Sequence, residues 1–326
     1  MSSAELLTAN LLSPVVLAFA LGMLARLLRS DLEIPAAIQS YLSIFLLLAI
    51  GLKGGVALRQ DTPDNLALLL AATVLAGAAT AATSYWVARR WLRDDALQAG
   101  AMAAHYGSVS AVTFIAAQQF TERSGLASEP VLVALLVALE IPAILLGIGL
   151  ARGGGRPSWH QVREVLTGRT AILLLGGLAI GAIAGKQGVQ AVDAMYFQLF
   201  QGMLMLFMLD MGLVAAAQLR QLREGALRLL LFGTLLPLAH GLTGVVIGQA
   251  IGLNASGAVV FATMLASASY IAAPASVRAS LPGADAGRCI TAALGITFPF
   301  NLALGIPAYA AFAQWWRGGG QIPWPV

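Results

Sequence analysis

Charge is scarce in this chain. Charged residues make up 10% of it, where a soluble domain carries about 25%. Hydrophobic residues make up 59%, and the mean hydropathy is +0.81. An ordinary soluble domain is excluded. Cysteine is scarcer still: Cys289 stands alone, which excludes an internal disulfide and argues against a cysteine metal site. No basic block with interleaved aromatics occurs, so the net charge of +4 does not mark a nucleic-acid binder. There is no Walker motif and no His-Glu-x-x-His. Gly153-Gly154-Gly155 has no following Lys-Ser/Thr, so it reads as a flexible linker. The acids at span depth, Glu140 and Asp210, lack the surroundings of an intramembrane aspartyl protease. No catalytic residue, cofactor or metal site is expected, and the chain does not read as an enzyme.

Long apolar runs are what the sequence has in abundance. A run of about 20 such residues can span the hydrocarbon core as a helix. Ten occur, at 11–28, 36–58, 66–88, 97–119, 131–151, 170–185, 194–217, 226–250, 256–277 and 289–314. The expected fold is therefore an all-α polytopic membrane protein of ten transmembrane helices. The first run has no Lys or Arg before it and no clear cleavage site, so it reads as a retained span. The one long connection, 152–169, holds the glycines and Pro157 and divides the chain into 1–151 and 170–326.

Basic residues set the orientation. With the N-terminus outside, the cytoplasmic loops hold Arg26, Arg29, Arg89, Arg90, Arg93, Arg152, Arg156, Arg163, Arg169, Arg220, Arg223, Arg228, Arg278 and Arg288. The outer segments hold Lys53, Arg59, Arg123, Lys186 and Arg317. Both termini should then lie outside the cytoplasm. Five spans per half would invert the second half relative to the first. Short matches support such a repeat. Gly51 to Arg59 aligns without gaps on Gly212 to Arg220, Ser108-Val109-Ser110 aligns on Ser267-Ala268-Ser269, and Pro142 answers Pro299.

Two of the runs are interrupted at their centres. One holds Gly107-Ser108-Val109-Ser110, and the other, 159 residues further on, holds Ala266-Ser267-Ala268-Ser269-Tyr270. Interrupted segments at matching places in two halves point to a transporter's binding site. After a break, the following half-helix offers free N–H groups and a positive dipole end to a small anion. The preceding half ends in free carbonyls, which suit sodium. The other reading is that glycine and serine only allow close helix packing.

Buried ionisable groups are functional candidates by default in a membrane. Glu140, just before Pro142, would coordinate sodium or orient the break, or else hydrogen-bond a neighbouring helix. Asp210 would line an inner vestibule or pair with an arginine at the end of its span, and the arginine pair is the preferred reading. His105 and His240 read as packing or hydrogen-bonding residues. Thr113, Thr297 and Asn301 are polar at span depth. Thr297 and Asn301 lie one turn apart beside Pro299, which frees a backbone carbonyl. Together they offer sodium-type oxygen ligands, with Tyr270 as a cover.

Several stretches resemble the sodium-dependent bicarbonate transporter family of cyanobacteria and other bacteria, the single-chain high-affinity symporters. They are Leu12 to Leu17 with Leu21-Gly22-Met23, Ser30 to Pro35, Leu48 to Gly55, His105 to Phe114, Glu140-Ile141-Pro142, and Ser267 to Pro274. The resemblance covers nearly the whole chain. It implies a homotrimer in the bacterial plasma membrane, with ten spans in two inverted repeats. It implies a scaffold of spans 1, 2, 6 and 7 and a moving core of spans 3–5 and 8–10. Bicarbonate would sit between the crossing breaks of spans 4 and 9, with sodium as the coupling ion and movement of the elevator type. A PII-like nucleotide-sensing protein would dock on the cytoplasmic face. The same fold would also suit a carrier of another small anion, such as a monocarboxylate, or an anion channel or receptor.

Overall fold

Local sequence signals start most of the helices. The computed structural model describes residues 8, 10–125, 129–155, 158–220 and 225–317. Ser13 caps α1 (Pro14–Leu27) by accepting from the Val16 amide, and Pro14 supplies a first-turn residue that needs no N–H partner. α2 (Ala36–Gln60) and α3 (Leu66–Leu92) follow. The last turn of α3 is π-helical and stops at Arg93, which turns left-handed at φ 59°. Asp95 caps α4 (Ala96–Gly107), taking the Gln98 amide at 2.7 Å. α5 (Ala111–Arg123) and α6 (Leu132–Ala151) complete the first half.

Ser158 and Gln161 form a capping box on the short α7 (Trp159–Leu166). α8 (Arg169–Gly188) bends at Gly185, where φ is 63°. Then come α9 (Phe200–Leu219), α10 (Ala226–Ala250), α11 (Ala255–Leu265) capped by Asn254, and α12 (Ala272–Ser280). The last element is α13 (Ala286–Arg317), started by Asp285. Two π segments, Thr291–Thr297 and Asn301–Gly305, flank Pro299 in α13. Widening the helix there accommodates a residue that cannot donate to the ladder.

The fold is all-α, with no strand among the described residues. α2, α3, α6, α8, α9, α10 and α13 are long and apolar enough to cross a membrane, and α1 and α11 are shorter apolar helices. Every apolar run of the sequence holds helix. Two of them, 97–119 and 256–277, are each divided into two shorter helices. Arg156, Pro157 and Arg223 lie outside the described residues.

Helix packing depends on backbone contact at glycines. α1 runs along α9 and α2 along α8. A Cβ on Gly22 would lie 2.0 Å from the Leu209 carbonyl oxygen, and one on Gly212 would lie 2.1 Å from that of Phe19. The α2–α8 seam repeats this, with Gly55 at 2.1 Å from Leu178 O and Gly181 at 2.3 Å from Leu52 O. Small residues that let two backbones touch are how apolar helices associate in lipid. α3, α4 and α6 pack together, as do α10, α11 and α13, and α5 packs on α11.

Candidate functional site

α4 stops at Gly107, where a side chain would strike Ala81 of α3 at 2.4 Å. The chain is then extended at Ser108 (φ −86°, ψ 173°) and at Ser110 (φ −94°, ψ 113°). Ser110 Oγ accepts from the Thr113 amide at 3.2 Å and so starts α5. In the second half α11 stops at Leu265, and the non-helical stretch runs from Ala266 to Ile271. Ser267 Oγ donates to the Met264 carbonyl at 2.8 Å. Ser269 Oγ accepts from the Ala273 amide at 3.1 Å, at the start of α12.

The two breaks are bonded to each other. The Ser110 amide donates to Ser267 Oγ at 2.9 Å. The Ser269 amide donates to the His105 carbonyl at 2.8 Å. His105 Nδ1 lies 2.6 Å from the Ser269 carbonyl oxygen. A carbonyl only accepts, so Nδ1 carries the proton. Residue 105 meets 269 and residue 110 meets 267, so the two stretches run antiparallel. The carbonyl ends of α4 and α11 and the amide ends of α5 and α12 therefore meet in one place.

Two buried polar atoms around this crossing, Ser108 Oγ and His105 Nε2, have no partner among the described residues, while the Tyr270 hydroxyl interacts with Ser110. An unpaired buried polar atom costs about 1–3 kcal/mol. Such atoms call for a ligand, ion or water. The Tyr270 ring is fixed edge-on against Phe298, with centroids 5.6 Å apart.

The Thr297–Asn301 face joins the same cluster. Asn301 Nδ2 donates to the Ala266 carbonyl at 2.8 Å, holding the end of α11, and Asn301 Oδ1 accepts from the Tyr309 hydroxyl at 3.0 Å. Thr297 Oγ1 donates to the Gly233 carbonyl at 2.7 Å and lies 2.7 Å from the Tyr106 hydroxyl. An amide or hydroxyl oxygen has two lone pairs, so each of these oxygens has one that the bonds named here do not use. Thr113, fully buried, sits in the first turn of α5.

Two other acids stand apart. Glu140 is buried in α6 and lines a cavity of about 520 Å³ with Ile271, Ala272 and Arg278, beside the end of the second break. For Asp210 the expected arginine is corrected: its Oδ1 accepts from Gln39 Nε2 of α2 at 2.7 Å, which ties α9 to α2. His240 hydrogen-bonds Thr83 at 2.8 Å, the role its sequence position suggests. Outside the spans, burial raises the pKa of the Asp94 carboxyl, and the ion pair with Arg288 opposes this.

Sequence reasoning missed Tyr106, Tyr309 and Gln39. A signal was present for the tyrosines, because a buried tyrosine hydroxyl needs a partner. Tyr309 lies about two turns beyond Asn301, on the same helix face. For Gln39 no local signal exists.

A family model for the Na+-dependent bicarbonate transporter superfamily matches residues 14–314, most of the chain. Comparison with curated proteins finds no match.

Proposed function

Because the chain belongs to the Na+-dependent bicarbonate transporter superfamily, we propose that it is a sodium-coupled bicarbonate symporter that works by elevator-like alternating access. The observation that carries this reading is the crossing of the two breaks. It offers two helix N-termini and a serine hydroxyl without a partner to one small anion. Bicarbonate is a monovalent anion with donor and acceptor oxygens, which suits serine hydroxyls and free amides. Sodium would take oxygens of the Thr297–Asn301 face and of nearby carbonyl ends, with Thr113 beside it. Glu140 would act from the neighbouring cavity.

The packing supports an inverted repeat of two five-helix halves. Gly51 and Gly212, aligned in sequence, occupy matching seams: Gly51 meets Gly177 of α8, and Gly212 meets α1. The helices α1, α2, α8 and α9 would be the scaffold. The others would be the core, with α4–α5 and α11–α12 as the two broken spans, which brings the count to ten. Leu17, Leu21, Leu24 and Leu28 form an exposed stripe on one side of α1 and just beyond it, which suits a homotrimer or lipid contact. A PII-like regulator would meet the arginine-rich cytoplasmic face.

Changing the Thr297–Asn301 face tests the sodium assignment. Asn301→Ala or Thr297→Val should raise the sodium concentration for half-maximal uptake about tenfold or more, and should move the bicarbonate dependence less. The measurement is a sodium titration of bicarbonate uptake at fixed bicarbonate. An unchanged sodium curve would mean that this face only packs.

A further inference from the structure

Lys53 lies within α2, a helix apolar and long enough to cross a membrane. Its ammonium stands 3.7 Å from the ring centroid of Phe200 and 5.6 Å from that of Phe197. Aromatic faces attract a cation electrostatically, and more strongly once it is desolvated. Its charged neighbours are Glu122 and Asp193. Neither is in ion-pair contact with it: among the described residues the one ion pair is Arg288 with Asp94. The ammonium therefore has donors to spare.

Two cavities share this lysine. One is open, about 830 Å³, and is lined also by Lys186 and Asp193. Lys186 lies near the far end of α8 from Arg169, so this mouth opens on the face away from the arginine-rich linker. The other is narrower, about 200 Å³, and reaches Ile115 of α5 past Gln118, Gln119 and Gln201. Ile115 lies little more than one helical turn beyond Ser110. An open mouth with two lysines, of which Lys53 also lines the narrower cavity, and a polar passage thus lead toward the crossing. The passage runs between the α2–α9 side and α5. There Gln119 Nε2 donates to Gln201 Oε1 at 2.8 Å.

We propose that Lys53 is a specificity-determining residue that captures a small monovalent anion at this mouth before the serines of the crossing bind it. This rests on the crossing being the anion site. The lysine would raise the local anion concentration by attraction in a low-dielectric cleft. Asp193 at the open mouth, and Glu122 and Glu129 along the narrow cavity, oppose it.

The test is uptake of radiolabelled bicarbonate by the purified full-length protein in proteoliposomes at saturating sodium. Lys53→Met should raise KM about tenfold, the effect of one unit charge acting at short range through an intermediate dielectric. It should leave kcat within about twofold and flatten the dependence of KM on ionic strength. Glu122→Gln should lower KM. A lysine with only a structural role would reduce kcat or the yield of assembled protein, and would leave KM and its salt dependence alone. That result, with sodium-dependent uptake intact in the unaltered protein, overturns the proposal. If Lys53→Met does not assemble, Glu122→Gln decides it, and an unchanged KM there also overturns it. Full transport by Ser108→Leu would instead overturn the crossing as the anion site and leave the lysine data readable on their own.

Discussion

Ser108→Leu and Ser269→Leu should each abolish sodium-dependent bicarbonate uptake in a protein that still folds and assembles. Ser108 is the cleaner case. Its hydroxyl is buried and has no partner among the described residues, so removing it breaks none of the hydrogen bonds found there. Leucine would fill the space between the helix ends with apolar bulk and remove one donor from the anion. Uptake should fall by more than about a hundredfold, which corresponds to about 2.7 kcal/mol or more of lost binding or transition-state stabilisation. Ser108→Ala should fall less, because it removes the donor without filling the site. Ser269 also caps the first turn of α12 through the Ala273 amide, so Ser269→Leu should lose about 1 kcal/mol of stability as well. Uptake of labelled bicarbonate, with size-exclusion profiles of each variant, separates loss of site from loss of fold. Normal transport by both leucine variants would mean that the serines only allow helices to pack.

His105→Ala should be nearly as damaging, for a different reason. The imidazole donates to the Ser269 carbonyl, and the His105 carbonyl takes the Ser269 amide. That pair of hydrogen bonds between the breaks fixes their relative position. Without the ring, the Ser269 carbonyl is left buried and unpaired, a cost of about 1–3 kcal/mol. The expected result is a lower thermal unfolding midpoint together with at least a tenfold loss of uptake. His105→Asn, which keeps a short donor, should recover part of both. A variant with full stability and full uptake would show that the Ser110–Ser267 contact alone aligns the crossing.

Much of this was legible from the sequence, because lipid imposes simple rules. Backbone polar groups in hydrocarbon must be satisfied internally, so apolar runs become helices. Gly107-Ser108 and Ser267-Ala268-Ser269 interrupt two such runs, and helix does fail at both places. The observed helix starts follow local chemistry, as at the caps Asp95 and Asn254. What the sequence did not reveal was the choice of partner. Asp210 takes a glutamine 171 positions away, although arginines lie closer along the chain. In a low-dielectric interior a polar group bonds to whichever partner the packing brings within reach, and sequence distance says nothing about that. The same applies to Tyr106, which bonds Thr297 191 positions away, and to Lys53, which the charge count assigned to an outer segment but which stands over Phe200 within α2. Pro299 announced a distortion, but not that π turns on both sides would absorb it.

The central claim is that sodium drives bicarbonate uphill through this crossing. Proteoliposomes containing the purified protein, with labelled bicarbonate outside and an imposed inward sodium gradient, test it most directly. Sodium and bicarbonate flux should be recorded together, before and after an ionophore dissipates the gradient. The expected result is bicarbonate accumulation above the outside concentration, sodium entry in step with it, and loss of both on dissipation and in Ser108→Leu. Bicarbonate that only equilibrates, at a rate indifferent to sodium, would contradict symport and leave a channel of the same fold.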